Sequence, residues 1–249
     1  MKPVYQFIAD YAAQKLDYRA EFVVGSSFDP FANDEVDVGF ISGLPYVLLM
    51  EQPDPAVELL AAPVLQGERY ADRPIYFSDV IVQKDSMFQS FADLRGQVWG
   101  FNGKESQSGY GVVRYHLSKL DDPGNFFERA VETGSHANSI EQVASGDIDA
   151  AAIDSHLMAL EQRENPDLTA QLRILGSLGP STVQPVVAAV RLSDTLKARL
   201  RDVFLSLADD PIARQPLDFG MIKRFVPISD ADYDDIRAMW QASSHVQLP

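Results

Sequence analysis

The reading of the fold turns on the stretch Val98-Trp99-Gly100-Phe101-Asn102-Gly103-Lys104-Glu105-Ser106-Gln107-Ser108-Gly109-Tyr110. Val98 to Phe101 follows a turn at Gly96 and reads as a buried strand. The small and hydroxyl-bearing residues from Asn102 to Ser108 read as a loop, and Gly109 to Leu120 as a helix. A strand that enters a helix through such a turn leaves backbone N–H groups without intrahelical partners, here beside serine hydroxyls. That arrangement is a cradle for a tetrahedral oxyanion. Ser106 or Ser108 also suits the N-cap of the helix, and the two roles are compatible.

Outward from this stretch the chain alternates. Toward the N-terminus, Tyr5, Ile8, Ala9, Ala12 and Leu16 recur at three- and four-residue spacing and predict an amphipathic helix over 4–16. Ala20–Val24 and Asp37–Ile41 read as short strands, the second ending at the turn Ser42-Gly43-Leu44-Pro45. Ile75 to Lys84 reads as a longer, β-branched strand. Toward the C-terminus, strands are expected at Val131, Ala150–Ile153, Leu172–Leu175 and Val186–Val190. Helices are expected over Asn138–Ser145, Leu157–Arg163, Leu192–Ala208 and Asp230–Gln241. Alternation of this kind predicts an α/β fold with mainly parallel sheets.

Composition narrows the chemistry. The 249 residues are 46% hydrophobic and 23% charged, ordinary for a globular chain. Lys and Arg number 21 against 36 Asp and Glu, a formal net charge of -15. No basic patch suited to nucleic acid or to an anionic membrane surface is visible. A pocket can still hold a small anion through local amide dipoles. Cysteine is absent, which removes disulfides, thiolate metal sites and a cysteine nucleophile. No apolar run approaches the roughly 20 residues of a membrane span. Polar residues interrupt Met1-Lys2-Pro3-Val4-Tyr5-Gln6, so no signal peptide is expected, and read literally the chain is soluble and unexported.

Several motifs fail on spacing. Gly103-Lys104 is not a P-loop, because Val98 and Glu105 stand where a glycine and a hydroxyl residue are needed. Glu105 and Gln107 break the spacing of a nucleophile elbow. Asp218-Phe219-Gly220 stands alone, without other kinase motifs. His116, His136, His156 and His245 include no pair at zinc-ligand spacing, so no metal and no cofactor are expected.

Four further residues are candidates for a binding site. His136, in Gly134-Ser135-His136-Ala137-Asn138, lies in a strand-to-helix loop, where it could reach an anion or simply face solvent. Asp154 ends the Ala150–Ile153 strand, at the carboxyl edge where open α/β sheets bind ligands, and also suits a helix cap. Tyr46 and Tyr76 could line a pocket or belong to the core.

The ordered set resembles a known family. It comprises Asp37-Val38-Gly39-Phe40-Ile41-Ser42-Gly43-Leu44-Pro45-Tyr46, Asp93-Leu94-Arg95-Gly96, Ser106-Gln107-Ser108-Gly109-Tyr110, Gly134-Ser135-His136 and Gly146-Asp147-Ile148-Asp149-Ala150-Ala151-Ala152-Ile153-Asp154. From about residue 3 to about residue 240 the chain is similar to the phosphate/phosphonate-type substrate-binding proteins of ABC transporters. The resemblance implies the type II periplasmic-binding-protein fold. Lobe one would comprise residues 1–78 and 184–249, lobe two residues 79–183, with the ligand cleft between them. It maps the family's oxyanion loop onto Ser106, Gln107, Ser108 and Gly109, the oxyanion-contacting histidine onto His136, and the pocket tyrosines onto Tyr46 and Tyr76. The acidic residue that meets a ligand amine maps onto Asp154. Gln107 departs from the family's hydroxyl residue, which implies a different oxyanion or a larger head group.

Relatives of this kind carry a signal peptide and a first β-strand ahead of the opening helix, whereas this sequence starts at that helix. The missing strand would be central in lobe one and would leave its neighbours unpaired. The function implied is non-catalytic binding of a small oxyanion, a phosphonate, phosphate or phosphite, for delivery to an ABC-transporter permease. A periplasmic monomer is expected. The alternatives are a ligand-sensing module of a regulatory system and, on the same fold, a pyrimidine-synthesis-type enzyme. The latter would need a histidine cluster and a cofactor that the sequence does not offer.

Overall fold

The computed structural model describes residues 2–25 and 29–249. Its elements in chain order begin with α1 (Lys2–Leu16), α2 (Asp29–Ala32), β1 (Val38–Phe40), α3 (Gly43–Met50), β2 (Val57–Leu65) and β3 (Ile75–Gln83). Next come β4 (Val98–Phe101), α4 (Val112–Leu117), β5 (Arg129–Glu132), α5 (His136–Ser145), β6 (Ala150–Asp154), α6 (Ser155–Glu164) and α7 (Pro166–Thr169). The last are β7 (Leu172–Thr182), β8 (Val186–Ala189), α8 (Asp194–Ser206), α9 (Pro211–Phe219), β9 (Ile222–Val226) and α10 (Asp234–Ala242). By internal contacts the chain divides into two units, Met1–Ile75 with Thr182–Tyr233, and Tyr76–Ser181 with Asp234–Pro249.

The first unit is built on a sheet of order β1-β8-β2-β9. Every pairing within it is antiparallel, which corrects the expectation of mainly parallel sheets for this half. The reason is connectivity: β8 and β9 come from chain that has already passed through the second unit, and they insert against β1 and β2. Ala188 of β8 sits opposite Val38 of β1 on one side and Glu58 of β2 on the other. β8 therefore fills the position between β1 and β2, and among the described residues both strands are paired to it rather than left open there. On α1 the residues Val4, Ile8, Tyr11, Ala12 and Leu16 are buried, one face at helical spacing, and α1 packs on α8 and α9.

Three local expectations change here. Ala20–Val24 forms no strand: no neighbouring strand pairs with it, and Val23 and Val24 are exposed. Ser42–Pro45 is not a free turn but the N-cap and first turn of α3, where proline's missing N–H does no harm. β2 and β9 were not anticipated. β2 is buried along nearly its whole length, so it carries no alternating signal.

The second unit has a mixed sheet of order β5-β4-β6-β3-β7. β4 runs parallel to β5 and β6, and β3 runs antiparallel to β6. Both faces are covered. Val80, Val82, Trp99 and Phe101 pack with Val113, Leu117 and Phe127 on one side. Ile81, Ala151 and Ile153 pack with Ile140, Val143 and Met158 on the other. Strands buried on both faces read as continuous apolar runs, as Ala150–Ile153 does.

The segment Asp234–Pro249 packs with this unit, whereas the sequence reading placed 184–249 together in lobe one. Its attachment is specific. The Arg114 guanidinium donates to Val246 O at 2.6 Å and Ser243 O at 2.7 Å and lies 4.5 Å from the Trp240 ring, and Val246 is fully buried. Among the described residues no helix is long and apolar enough to cross a membrane.

Candidate functional site

Sheet topology brings the second unit's candidates to one edge. Because β4, β5 and β6 are parallel, their carboxyl ends at Phe101, Glu132 and Asp154 lie on the same side. β3 is antiparallel, so its start arrives there too, with Ser78 opposite Asp154. Each of the three parallel strands leads directly into a helix start, and those starts carry the candidates.

After β4, Ser106 is an N-cap with extended backbone (φ -77°, ψ 125°), and its Oγ accepts from Gly109 N at 3.0 Å. Gln107–Gly111 is a π-turn that runs into α4. Both Tyr110 N and Gly111 N donate to Ser106 O, at 3.2 and 2.9 Å. The sequence reading started this helix at Gly109 and missed the π-turn, a feature common at functional sites. Gly109 is closely approached: a Cβ there would stand 2.0 Å from Asn102 Oδ1, so a larger residue would push the Asn102 side chain aside.

After β5, Ser135 caps α5 by accepting from Asn138 N at 3.1 Å, and His136 is the first residue of that helix. Thr133 staples the loop to β4. Its N–H donates to Phe101 O at 2.8 Å, and its hydroxyl stands 2.6 Å from Ser139 Oγ. After β6, Asp154 caps α6, Oδ1 accepting from His156 N at 2.8 Å and Leu157 N at 3.2 Å. Both readings of Ser106 and Asp154 as helix caps are thus realised, and both residues stand at the edge.

The functional groups meet as follows. The hydroxyls of Ser106 and Ser108 are 3.4 Å apart, and Ser108 Oγ is 3.0 Å from His136 Nε2. Tyr76, fully buried on β3, places its Oη beside Ser108, yet that atom has no hydrogen-bond partner among the described residues. The same holds for His136 Nδ1 and Asn102 Oδ1. Buried polar atoms are nearly always satisfied, so these three unpartnered atoms single out this strand edge as the candidate site.

Burial pushes the Tyr76 phenol well above its usual range, with the Asp154 and Asp235 charges adding and the Ser108 contact opposing. Tyr76 therefore stays a protonated donor. Burial also lowers His136 below the usual histidine value, against the opposing pull of Asp154, so the ring is neutral at neutral pH.

One candidate of the second unit turns away from these groups, and one lies in the first unit. Gln107 is buried, but its amide nitrogen donates to Ser181 Oγ at 3.1 Å and Met239 Sδ at 3.4 Å. Tyr46 belongs to the first unit, on α3. Its hydroxyl donates to Asp230 Oδ1 at 2.8 Å and its ring packs 4.7 Å from that of Tyr233. Sequence reasoning missed Asn102, Thr133, Ser181 and Asp235. The position of Asn102 directly after a strand was the one local signal. No group of His, Asp or Glu among the described residues could hold a metal ion.

A model of the ABC-transporter phosphonate periplasmic substrate-binding protein family matches residues 1–233. The chain belongs to that family. Its members are non-catalytic transport components. Among curated relatives of this phosphonate-binding family, the chain is 25% identical over 150 residues to the phosphonates-binding periplasmic protein of Escherichia coli K12. That match covers 58% of this chain and 44% of the relative's length.

Among solved structures, the binding-protein component of an ABC phosphonate transporter from Pseudomonas aeruginosa is similar with a TM-score of 0.86 at 21% identity, covering 98% of this chain and 82% of that one. A protein of Prochlorococcus marinus solved with methylphosphonate has a TM-score of 0.82 at 19% identity, covering 98% and 93%. These likenesses establish the two-lobed type II periplasmic-binding-protein fold, with sheets flanked by helices.

Proposed function

We propose that the chain binds a small phosphorus oxyanion of the phosphonate class as the solute-binding component of an ABC transporter, and passes it to a permease. The observation that carries this reading is the Ser108–His136 pair at 3.0 Å beside the unpartnered, fully buried Tyr76 hydroxyl. Ser106, Ser108, Tyr76 and His136 supply neutral donors, and the π-turn and α5 add the partial positive charge of helix starts. Neutral donors on rigid elements suit an oxyanion because they need little rearrangement to receive it.

Asp154 and Asp235 place negative charge near the same tyrosine. A ligand whose far end is cationic or hydroxyl-bearing suits that field better than a bare dianion. Tyr46 has its hydroxyl taken by Asp230 and is assigned a packing role. Periplasmic residence follows the family.

Calorimetry of the purified chain against phosphate, phosphite, sulfate, methylphosphonate and aminoethylphosphonate tests this. Micromolar or tighter binding of a phosphorus oxyanion is expected, with sulfate weaker. Silence across the panel in a chain shown to be folded would overturn the proposal.

A further inference from the structure

Ser106 and Ser108 flank a residue that behaves differently from either. Their hydroxyls approach each other and that of Ser108 meets His136, whereas the Gln107 side chain between them runs to Ser181 at the end of β7 and Met239 on α10. Ser181 Oγ lies 3.8 Å from the same sulfur. Gln107 is 1% exposed and Ser181 3%, so water is a poor substitute for either partner. A donor in such surroundings holds its place firmly, because leaving it unpaired is expensive.

The turn it belongs to needs holding. Ser106 O receives both Tyr110 N and Gly111 N, the latter five residues on, which is the wide π closure rather than the usual α one. Such turns are rare and persist where other contacts favour them. A relaxation toward ordinary α geometry would take one residue out of the turn and re-aim Ser108 relative to His136.

We infer that Gln107 is a positioning residue: its tether to Ser181 and Met239 keeps the π-turn wide and thereby sets where the Ser106 and Ser108 hydroxyls stand toward a bound oxyanion, which Gln107 itself does not touch. This rests on the oxyanion site proposed above. It also gives the departure from the family's hydroxyl residue a different meaning. The longer amide is used to reach β7 and α10, not the ligand.

The test joins calorimetry with methylphosphonate to the ring 15N signals of His136 in the unliganded protein. Gln107→Leu keeps most of the volume and removes the donor. Ser181→Val and Ser181→Thr have the same shape and differ in the hydroxyl. Gln107→Leu and Ser181→Val are each expected to weaken methylphosphonate binding roughly ten-fold, while Ser181→Thr stays within about two-fold. The double variant Gln107→Leu/Ser181→Val should be no weaker than the worse single one, because both break one tether. Both single variants should also shift the His136 ring signals, which report the Ser108 contact.

Unchanged affinity with unmoved ring signals in Gln107→Leu would overturn the inference, as would equal behaviour of Ser181→Val and Ser181→Thr. If Gln107→Leu does not fold, the Ser181 pair decides alone. If the wild-type chain binds no methylphosphonate, the oxyanion reading fails separately, and the ring signals still decide whether the tether positions Ser108.

Discussion

Tyr46 and Tyr76 make a controlled comparison between the two units. They are the same residue type, 1% and 0% exposed, and both are pocket candidates from sequence. In the first unit Tyr46 is finished: its hydroxyl donates to Asp230 at 2.8 Å and its ring packs on Tyr233. In the second unit Tyr76 is unfinished: its hydroxyl has no partner among the described residues, and it stands beside Ser108 under the fields of Asp154 and Asp235. Burial is therefore not what marks a binding residue. A buried polar atom left without a partner is the better pointer where it stands at a strand edge among other polar groups, as Tyr76 does, rather than in the apolar core, as the equally unpartnered Trp99 Nε1 does. On the proposed function, the first unit's tyrosine serves stability and the second unit's tyrosine serves the oxyanion.

The largest expected effect lies at the unfinished edge. Replacing both Ser106 and Ser108 with alanine removes two donors and the cap of the π-turn. Binding of a phosphorus oxyanion should weaken by roughly 100-fold in calorimetry, a loss of several hydrogen-bond equivalents. An affinity within a few-fold of wild type would break the assignment of this edge as the anion site.

The tyrosines themselves give the next effect, and the two variants should diverge. Tyr46→Phe removes the hydrogen bond to Asp230 and should lower stability by about 1.5–3 kcal/mol in denaturant unfolding, with ligand affinity little changed. Tyr76→Phe deletes an atom that has no partner among the described residues, so stability should hold or rise, while affinity falls by roughly ten-fold. Equal losses of stability in the two variants would erase the distinction drawn here.

That distinction was only half legible in the sequence. The strand Val98–Phe101, the loop of small residues after it and the Ala150–Ile153 run announced the edge, because local propensity and strand-end position both pointed there. His136 and Asp154 followed from the same logic. The partner of Tyr46 did not, since Asp230 lies 184 positions away and only the folded chain brings them together. β2 escaped notice because a strand buried on both faces shows no alternation, and Pro63 within it argues against a strand. The antiparallel pairing of β8 with β1 and β2 was hidden for a related reason: register between distant segments leaves no local mark. Gln107 shows a further limit, since sequence reports a long amide but not which way it reaches.

Acid should act on the unfinished edge first. Burial lowers His136, and also His116 of α4, below the usual histidine value of 6.5. A base whose folded pKa is depressed binds protons more readily when unfolded, so stability is intact above 6.5 and declines as pH falls below it. The unfolding midpoint of wild type should therefore drop between neutral pH and the region just below 6.5. His136→Gln should flatten that drop, and His116→Gln should flatten what remains. A slope unchanged in both variants would mean that other groups carry it.

The first unit responds later and less. There Asp72 sits 2.8 Å from Lys223 Nζ and 2.5 Å from Arg224 Nη1, and these hydrogen bonds hold its carboxyl at about 2, below the usual 3.8. A depressed carboxylate contributes stability above 3.8 that is lost only as pH falls from there toward 2. The pair is half exposed, with Asp72 at 53%, so water and salt screen it and the contribution is small at neutral pH. Asp72→Asn should move the unfolding midpoint slightly at low ionic strength, hardly at all in high salt, and should leave the histidine-linked decline below 6.5 untouched. The two units would then show two separate acid windows, one set by a ring that burial keeps neutral and one by a carboxylate that its neighbours keep charged. Should Asp72→Asn alter the higher window, the two units would not titrate independently, and the contrast between the finished and unfinished regions would have to be redrawn.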